Sequence, residues 1–291
     1  MKVLVTGWFS FPEMGATAGD LMVRDLACRW LQEAGRDFDV ALAPPFEGGV
    51  DWRTVDPSDY SEVLFVCGPF GNGPPLTEFL PHFREAGLVG LNLTVLHPLA
   101  EWNPFSLLLE RDSDRTVRPD VSFSSPPRLV PVVGIAFVPD QDLPGAMNRR
   151  ANEMIEEFLH GKEVAIVRID TRLDVPNESG LRTPAEVESL IAAMDVMITT
   201  RLHGTVLALK NGVPPIPVDP ISGGHKLARQ VARIGWPISL TVDELSLDLL
   251  QDAFDSCLDP ASRALATEVA RKASIETEST KRVFLEHFKR T

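Results

Sequence analysis

Short apolar runs alternate with amphipathic segments in the first part of the chain. The run KVLVTG at residues 2–7 ends in glycine, which is typical of a buried parallel strand that enters a turn. An amphipathic helix is predicted for Thr17–Gly35, because the apolar positions of this segment are spaced so that they form one face. The other predicted elements are strands at residues 38–43, 62–67 and 88–96 and a helix at residues 76–86. Strands that alternate with helices indicate a parallel sheet of Rossmann type.

This pattern breaks at Ser125-Pro126-Pro127-Arg128 and then starts again. The elements predicted after the break are strands at residues 130–138, 163–169 and 196–198 and helices at residues 148–159 and 183–193. In the second helix, Thr183, Pro184 and Glu186 form the pattern of a capping box with proline at the first helical position. We therefore predict an α/β protein with two Rossmann-like domains, residues 1–127 and 128–258. A C-terminal helix at residues 259–291 is of the kind that often packs back across a domain boundary.

The segment from Met194 to Lys226 places cationic side chains where strands end and helices begin. Arg201 and His203 follow the strand at residues 196–198 and precede a helix predicted for about residues 204–210. A turn at residues 211–212, a strand at 214–218 and the pair Gly223-Gly224 then lead to His225 and Lys226, which open another helix. In open parallel sheets ligands bind at this edge, and helix N-termini there favour anions. The segment predicts a site for a small molecule that carries a phosphate or carboxylate. Asp170 and Asp174, which follow another strand of the second domain, are further candidates for the same edge.

Composition narrows the class of protein. The chain of 291 residues is 44% hydrophobic and 24% charged, as in soluble globular proteins, and its length suits two domains. The formal net charge of −13 argues against nonspecific binding to nucleic acid or anionic lipid. The three cysteines have no metal-ligand spacing, so no metal site is predicted. Since neither a signal peptide nor a membrane span is recognisable, we expect a cytoplasmic protein.

Residues 194–226 resemble the C-terminal signature of the polysaccharide pyruvyl transferase family. The elements that carry the resemblance are Arg201-Leu202-His203, Gly212-Val213-Pro214 and Lys226. Upstream, Gly15–Asp20 (GATAGD) is similar to the family's N-terminal Gly-Asp element, although it also fits a plain strand-to-helix turn. Residues 103–106 and 118–121 are similar to the family's mid-chain segment. The resemblance implies a GT-B fold, in which two Rossmann-like domains face a cleft, with the acceptor on the side of the first domain and the donor on the side of the second.

The resemblance also implies an activity. Family members transfer the pyruvyl group of phosphoenolpyruvate onto hydroxyls of a sugar or glycan as a ketal, with phosphoenolpyruvate as donor substrate and no other cofactor. Arginine can bind a phosphate or carboxylate with two parallel hydrogen bonds, and histidine can move a proton near neutral pH. Arg201 and His203 are accordingly the catalytic candidates. The candidate substrate-binding residues are Gly19, Asp20, Trp102, Asn103, Gly224, His225 and Lys226.

One departure from the family pattern leaves alternatives open. Family members commonly carry Arg-Asp where this chain has Trp102-Asn103, which is consistent with a changed substrate, a relocated arginine (Arg111 or Arg115) or a lost activity. Trp102 could stack on a sugar ring or serve packing. The alternatives to a pyruvyl transferase are a nucleotide-sugar glycosyltransferase of the same fold and a non-catalytic relative that binds anions or sugars. The expected partners are a small-molecule donor and a sugar acceptor, and a homodimer is compatible with the sequence.

Overall fold

Two five-stranded parallel sheets organise the chain, one in each of two compact units, residues 1–128 and 129–291, and the first unit also has a small two-stranded parallel sheet. The structure is a computed structural model that describes residues 1–12, 14–140, 143–174, 176–224 and 226–289. The elements of the first unit are β1 (Lys2–Gly7), α1 (Ala18–Glu33), β2 (Phe38–Val40), β3 (Tyr60–Val66), β4 (Pro69–Phe70), α2 (Leu76–His82), β5 (Gly87–Leu91), β6 (Thr94–Val95) and β7 (Leu107–Leu109).

The second unit repeats the alternation of strands and helices. Its elements are β8 (Val132–Ala136), α3 (Asn148–Leu159), β9 (Ala165–Arg168), α4 (Pro184–Ala192), β10 (Val196–Thr199), α5 (Leu202–Lys210), β11 (Pro215–Asp219), α6 (Lys226–Ile234), β12 (Leu240–Thr241), α7 (Leu247–Leu258) and α8 (Pro260–Phe288). None of the helices in the described parts of the chain is long and apolar enough to cross a lipid bilayer.

The two five-stranded sheets have the same strand order. The first sheet runs β2-β1-β3-β5-β7 and the second runs β9-β8-β10-β11-β12, and all neighbouring strands are parallel. In both sheets the second strand lies on one side of the first and the remaining strands lie on the other. The order therefore reverses between β1 and β3 in the first unit and between β8 and β10 in the second. Ligands of such sheets bind outside the carboxyl ends of the strands at these switch points. The predicted class, α/β with two Rossmann-like parallel sheets, is confirmed.

Alternation along the strands divides the core of the first unit between two faces of its sheet. Val3 and Val5 of β1 pack with Val23 and Ala27 of α1 on one face. Leu4 points to the opposite face, as the two-residue period of a strand requires. That face holds a cluster of aromatic side chains: Trp8, Phe11, Trp52, Tyr60, Phe65, Phe70, Phe79 and Phe83.

The core of the second unit follows the same rule. Val196 and Ile198 of β10 lie in a cluster with Ile155 of α3, whereas Met197 packs with Ile191 of α4 on the other face. Helix α8 contributes the buried Ala266 and Val269 to the cluster that contains Ile155. Its N-cap is Asp259, whose side chain accepts from Ala261 N at 2.8 Å. The first turns of α8 thus belong to the second unit.

The elements found in the first unit differ from those predicted at several points. The strand predicted for residues 88–96 is wrong as one element: Asn92 adopts a left-handed conformation (φ 60°), which ends β5 and delays β6 until Thr94. The helix predicted for residues 76–86 ends at His82, because Pro81 lacks the N–H that would continue the hydrogen-bond pattern. Strand β7 was not predicted, since three consecutive leucines show no alternation.

Candidate functional site

The Arg201 side chain is held at the carboxyl end of β10 by contacts with the end of β8. Thr199 Oγ1 donates to the carbonyl oxygen of Ala136 at 2.7 Å and accepts from Arg201 N at 3.0 Å. The Arg201 Nε atom donates to the carbonyl oxygen of Phe137 at 2.7 Å, and its side chain is only 17% exposed. Burial lowers the pKa of the guanidinium, whereas Asp170, with an oxygen 3.6 Å from Nη2, raises it. The group remains a cation, because arginine does not lose its proton in proteins.

A cavity of about 490 Å³ opens beside Arg201 at the carboxyl ends of β8, β9 and β10. This position includes the switch point of the second sheet, where ligands of parallel sheets bind. Three arginines line the cavity: Arg168 at the end of β9, Arg172 in the following loop, and Arg201. Asp170 and Glu178 also line it, so the cavity presents both signs of charge. We call it the arginine cavity.

The wall of the arginine cavity between Arg168 and Leu181 is fixed by two polar side chains. Ser179 Oγ accepts from Asp170 N at 2.9 Å and donates to the carbonyl oxygen of Arg168 at 3.0 Å. Asn177 Nδ2 donates to the carbonyl oxygens of Asp170 and Arg172, both at 2.8 Å, and Asn177 Oδ1 accepts from the backbone of residues 179 and 181. These bonds hold the backbone that carries Arg168 and Arg172 in one conformation.

Carboxylates pair with the two exposed arginines of the cavity. Arg172 forms a two-pronged pair with Asp174, at 3.1 and 2.9 Å, which raises the pKa of the arginine and lowers that of the carboxylate. Arg168 Nη1 lies 2.9 Å from Glu156 Oε1. Exposed ion pairs contribute little free energy, so a phosphate or carboxylate ligand can displace Asp174 from Arg172, or Glu156 from Arg168, at small cost. Arg201, which is half-buried and hydrogen-bonded to the backbone, is better preorganised than these two arginines to donate hydrogen bonds to an anion.

Helix α5 starts earlier than predicted and therefore includes His203. Gly204 lies against β10: a Cβ atom at this position would collide with Thr199 Oγ1 and lie 3.1 Å from Thr199 Cβ. This close approach lets the helix begin at Leu202 rather than at residue 204, so the break between strand and helix contains only Thr200 and Arg201. His203 thus stands in the first turn of α5, exposed, and no described residue forms a hydrogen bond with its ring.

The glycine pair before α6 is held by Asp243. Asp243 accepts from Gly223 N at 2.6 Å and from Ser222 Oγ at 2.9 Å, and these two bonds lower the pKa of the carboxyl group. Gly224 adopts a left-handed conformation (φ 71°), and Lys226 is the exposed first residue of α6. His225 lies outside the described residues. The described lining of the arginine cavity includes neither Gly224 nor Lys226, nor His203.

In the first unit, Gly19 and Asp20 form the first turn of α1. Asp20 Oδ2 accepts from Thr17 N at 2.6 Å and from Thr17 Oγ1 at 2.8 Å, while Thr17 Oγ1 accepts from Asp20 N at 3.4 Å. This reciprocal pair is a capping box, which satisfies two N–H groups at the helix start. The geometry favours the interpretation of GATAGD as a strand-to-helix turn.

Trp102 and Asn103 precede β7. The Trp102 ring stacks on Phe70, with centroids 5.7 Å apart and planes 16° apart, and meets the His97 ring edge-on at 5.8 Å. Asn103 Oδ1 accepts from Phe105 N at 3.2 Å. One face of the indole is therefore covered by a phenylalanine, which favours packing as the role of Trp102.

Neither arginine that could replace the missing Arg-Asp pair is free of partners. Arg111 donates to Asp112 and Asp120, both at 3.0 Å. Arg115 donates through Nε and Nη2 to Glu110, whose side chain is fully buried, at 3.0 and 2.8 Å. Both arginines thus serve contacts within the first unit.

The sequence interpretation missed Arg168 and Arg172. Both occur in VRIDTR, in which Arg168 ends β9 and Arg172 follows it closely, as Arg201 follows the end of β10. That repeated signal could have identified both residues. Asn177 and Ser179 could not have been found in this way, because their role depends on the conformation of the loop.

Comparison with known proteins gives a family match for the part of the chain that contains the arginine cavity. Residues 128–222 match the model of the polysaccharide pyruvyl transferase family. The predicted resemblance is confirmed for this segment, which includes β8 to β11 and the lining of the cavity. No curated protein matches the chain in sequence.

Solved structures give weaker similarities. The spinosyn rhamnosyltransferase SpnG in complex with thymidine diphosphate is 14% identical, with 94% of this chain and 96% of that chain covered and a TM-score of 0.34. Glycosyltransferase VinC in complex with dTDP is 12% identical, with 93% and 94% covered and a TM-score of 0.32. The UDP-GlcNAc 2-epimerase of Methanocaldococcus jannaschii, in complex with UDP-GlcNAc and UDP, is 10% identical, with 96% and 100% covered and a TM-score of 0.33. Scores this low carry no argument about this chain.

Proposed function

We propose that this protein is a pyruvyl transferase that moves the pyruvyl group of phosphoenolpyruvate onto two hydroxyls of a sugar or glycan acceptor. The observation that carries the proposal is the position of Arg201. It is a half-buried guanidinium at a sheet switch point, within the segment that matches the pyruvyl transferase family. A fixed cation in a cavity with further arginines suits a donor that carries both a phosphate and a carboxylate.

The phosphate and the carboxylate of the donor each need a cationic partner. Arg201 Nε is used by the Phe137 carbonyl, which leaves the Nη atoms to bind one anionic group. Arg168 and Arg172, at the end of the adjacent part of the sheet, supply cations for the other group. Both arginines already pair with carboxylates of the protein, so they contribute to donor binding only when the donor displaces those carboxylates.

The reaction we propose balances without a further reactant. Two acceptor hydroxyls form C–O bonds to C2 of the donor, and the bond between C2 and the phosphate oxygen breaks. One hydroxyl proton ends on the former methylene carbon, which becomes a methyl group, and the other leaves with inorganic phosphate. His203 is the residue we propose to move one of these protons, since imidazole exchanges protons near neutral pH. Its exposed position in the first turn of α5 leaves the ring accessible.

Calorimetric binding of phosphoenolpyruvate to the wild type and to Arg201→Ala tests the donor site. We expect the variant to lose roughly tenfold or more in affinity, because a charge-assisted two-pronged contact is removed. Arg271→Ala is the matched control, since this exposed arginine on α8 pairs with Glu268 outside the cavity. Lys226→Ala tests whether Lys226 binds the donor substrate, as predicted, and Lys272→Ala is its control. An unchanged affinity in Lys226→Ala would remove that lysine from the donor site.

Turnover separates the proposed enzyme from the alternatives. Release of inorganic phosphate that depends on an added sugar acceptor, and that is lost in His203→Ala while donor binding remains, would support the proposal. Binding of a nucleotide sugar but not of phosphoenolpyruvate would favour the glycosyltransferase. Donor binding without turnover in a broad acceptor screen would favour a non-catalytic relative.

A further inference from the structure

The C-terminal half of helix α8 extends beyond the packed core of the second unit. The first half of the helix is anchored by the buried Ala266 and Val269, and Arg233 of α6 pairs with Glu276 at 2.5 Å. Every residue from Ser274 to Phe288 is nevertheless exposed, while the helix continues without a break. We call residues 274–288 the α8 extension. Its surface is open to a partner.

The α8 extension carries a concentration of exposed apolar side chains. Phe284 and Phe288 are each 60% exposed, and their rings lie one helical turn apart with centroids separated by 4.7 Å. Ile275, Val283 and Leu285 are exposed as well. Helices are stabilised mainly by packing of an apolar face, and exposed apolar patches mark contacts with another protein or with a membrane. The formal net charge of −13 disfavours an anionic lipid surface, so a protein is the better occupant.

The packed side of α8 continues into the extension as a single seam. Positions 266, 270, 273, 277, 280 and 284 are alternately four and three residues apart, the spacing that keeps side chains on one side of a helix. The seam begins with alanines, continues with Thr277 and Thr280, and reaches Phe284. Because packed surfaces interdigitate, a second helix fits this seam best where it sets a small side chain against each large one.

The order of charges along the extension is complementary to its own reverse. Glu276 and Glu278 come first and Lys281 and Arg282 follow, so the acidic turn lies nearer the core and the basic turn lies further out. An antiparallel pair of these segments sets the acidic turn of each copy against the basic turn of the other, whereas a parallel pair would bring like charges together. The segment is also nearly neutral in a strongly acidic chain, which reduces repulsion between two copies.

From the exposed aromatic pair, the seam and the order of charges, we infer that the α8 extension binds the same segment of a second copy of this chain. The two helices run antiparallel, with a two-fold axis beside residues 280 and 281. Phe284 of each copy then packs against the partner's Thr277, and Glu278 lies within one helical turn of the partner's Lys281. A two-fold contact is self-complementary and closes at two copies. The inference stands apart from the proposed function, since it makes no use of phosphoenolpyruvate.

Sedimentation velocity of the full chain tests the dimer. A helix pair of this length buries less than the standard interface of about 800 Å² per partner, so we expect dissociation in the micromolar range. Concentrations from about 1 to 500 μM cover that range. Phe284→Asp places a carboxylate in the seam and alters only an exposed side chain. Phe123→Asp is the matched control, because Phe123 is an exposed phenylalanine of the first unit. Circular dichroism checks that each variant is folded.

The wild type and Phe123→Asp should change from monomer to dimer as the concentration rises. Phe284→Asp should dimerise at least about tenfold more weakly, because dimerisation would bury a carboxylate. A wild type that stays monomeric over the whole range would overturn the inference. So would a dimer that Phe284→Asp leaves unchanged, or assembly beyond two copies, since either would show a different contact.

Disulfide cross-linking tests the orientation of the two helices. Residue 280 lies beside the two-fold axis, so Thr280→Cys should form a covalent dimer on mild oxidation. Ser279→Cys is turned about 100° away from the seam and should not. Ala273→Cys lies on the seam, but in an antiparallel pair the two copies of residue 273 are about 20 Å apart along the helices, so it should not cross-link either. The wild type, which contains Cys28, gives the background. Cross-linking of Ala273→Cys would show a parallel pair and contradict the proposed contact.

Discussion

The Arg201 Nε atom donates a 2.7 Å hydrogen bond to the carbonyl oxygen of Phe137, which joins the ends of β10 and β8 across the switch point of the second sheet. The bond fixes the plane of the guanidinium, because Nε and both Nη atoms are coplanar. The fold thus fixes the orientation of the Arg201 guanidinium as well as the position of its charge. Asp170, with an oxygen 3.6 Å from Nη2, adds an acidic neighbour that is itself largely buried.

Arg201→Lys tests whether orientation matters. Lysine keeps the positive charge but cannot donate from an Nε–H group or present a planar fork. We expect phosphoenolpyruvate to bind Arg201→Lys roughly as weakly as Arg201→Ala, about tenfold or more below the wild type. Calorimetric titration of the three proteins, with Arg271→Lys as the control, measures the effect. An affinity in Arg201→Lys equal to that of the wild type would show that a point charge is sufficient.

Gly204→Ala tests the close approach of α5 to β10. The new methyl group would collide with Thr199 Oγ1, whose bonds to Ala136 and Arg201 hold the end of β10. Overpacking of this kind costs about 1–3 kcal/mol, although alanine's better helix propensity offsets up to about 1 kcal/mol. Urea denaturation should therefore show a lower free energy of unfolding. Gly15→Ala, where a Cβ atom meets nothing within 4 Å, should leave it unchanged. Equal stability of the two variants would show that the collision is relieved by a local shift.

Elements with local signals could be predicted from the sequence. Helix α3 has the predicted bounds, Asn148–Leu159, because its apolar positions repeat with the helical period. The capping box of Thr183 and Glu186 is present as predicted, with Glu186 N donating to Thr183 Oγ1 at 3.2 Å and Thr183 N donating to Glu186 Oε2 at 3.3 Å. Both features depend on residues within a few positions of one another, so the pattern contains the relevant interactions.

The candidate site was predicted only in part, because its geometry depends on distant residues. Arg201 was found from its place after a strand, but its acceptor Phe137 is 64 positions away in the sequence. The early start of α5, which places His203 in a helix, depends on contact between Gly204 and Thr199. The end of β5 at Asn92 depends on a left-handed conformation that the apolar pattern of this segment does not reveal. Such interactions appear only once the chain has folded.

Asn177→Ala tests the loop after β9, which contains Arg172 and follows directly on Arg168. The change removes the bonds from Nδ2 to the carbonyl oxygens of Asp170 and Arg172 and leaves two backbone N–H groups without their acceptor. We expect faster limited proteolysis between residues 170 and 181 and weaker phosphoenolpyruvate binding, by roughly three- to tenfold, since a mobile loop must be ordered on binding. Asn211→Ala is the control, because Asn211 Nδ2 also bonds to backbone, at Leu207, but at the other end of α5. Unchanged proteolysis would show that Asn177 does not hold the loop.

The pH dependence of stability should include a contribution from Asp120 in the first unit. Partial burial alone would raise the pKa of this carboxyl group, but hydrogen bonds from Ser122, Asn92 and Arg111 outweigh it and lower the pKa from 3.8 to about 2. The folded state therefore favours the ionised form. This contribution is fully present above about pH 4 and is lost as the pH falls from there towards 2.

Asp120→Asn removes the ionisable group and the ion pair with Arg111, whose Nη1 lies 3.0 Å from Asp120 Oδ2. We expect the free energy of unfolding at pH 7 to fall by about 1 kcal/mol, a figure reduced for solvent screening of a group that is partly exposed. Between pH 4 and 2 the variant should lose less stability than the wild type, so the two curves should converge. Urea denaturation at several pH values measures both effects. Asp37→Asn, at an exposed position before β2, controls for the loss of one negative charge. Parallel curves for the wild type and Asp120→Asn would show that the ionisation of Asp120 is not coupled to folding.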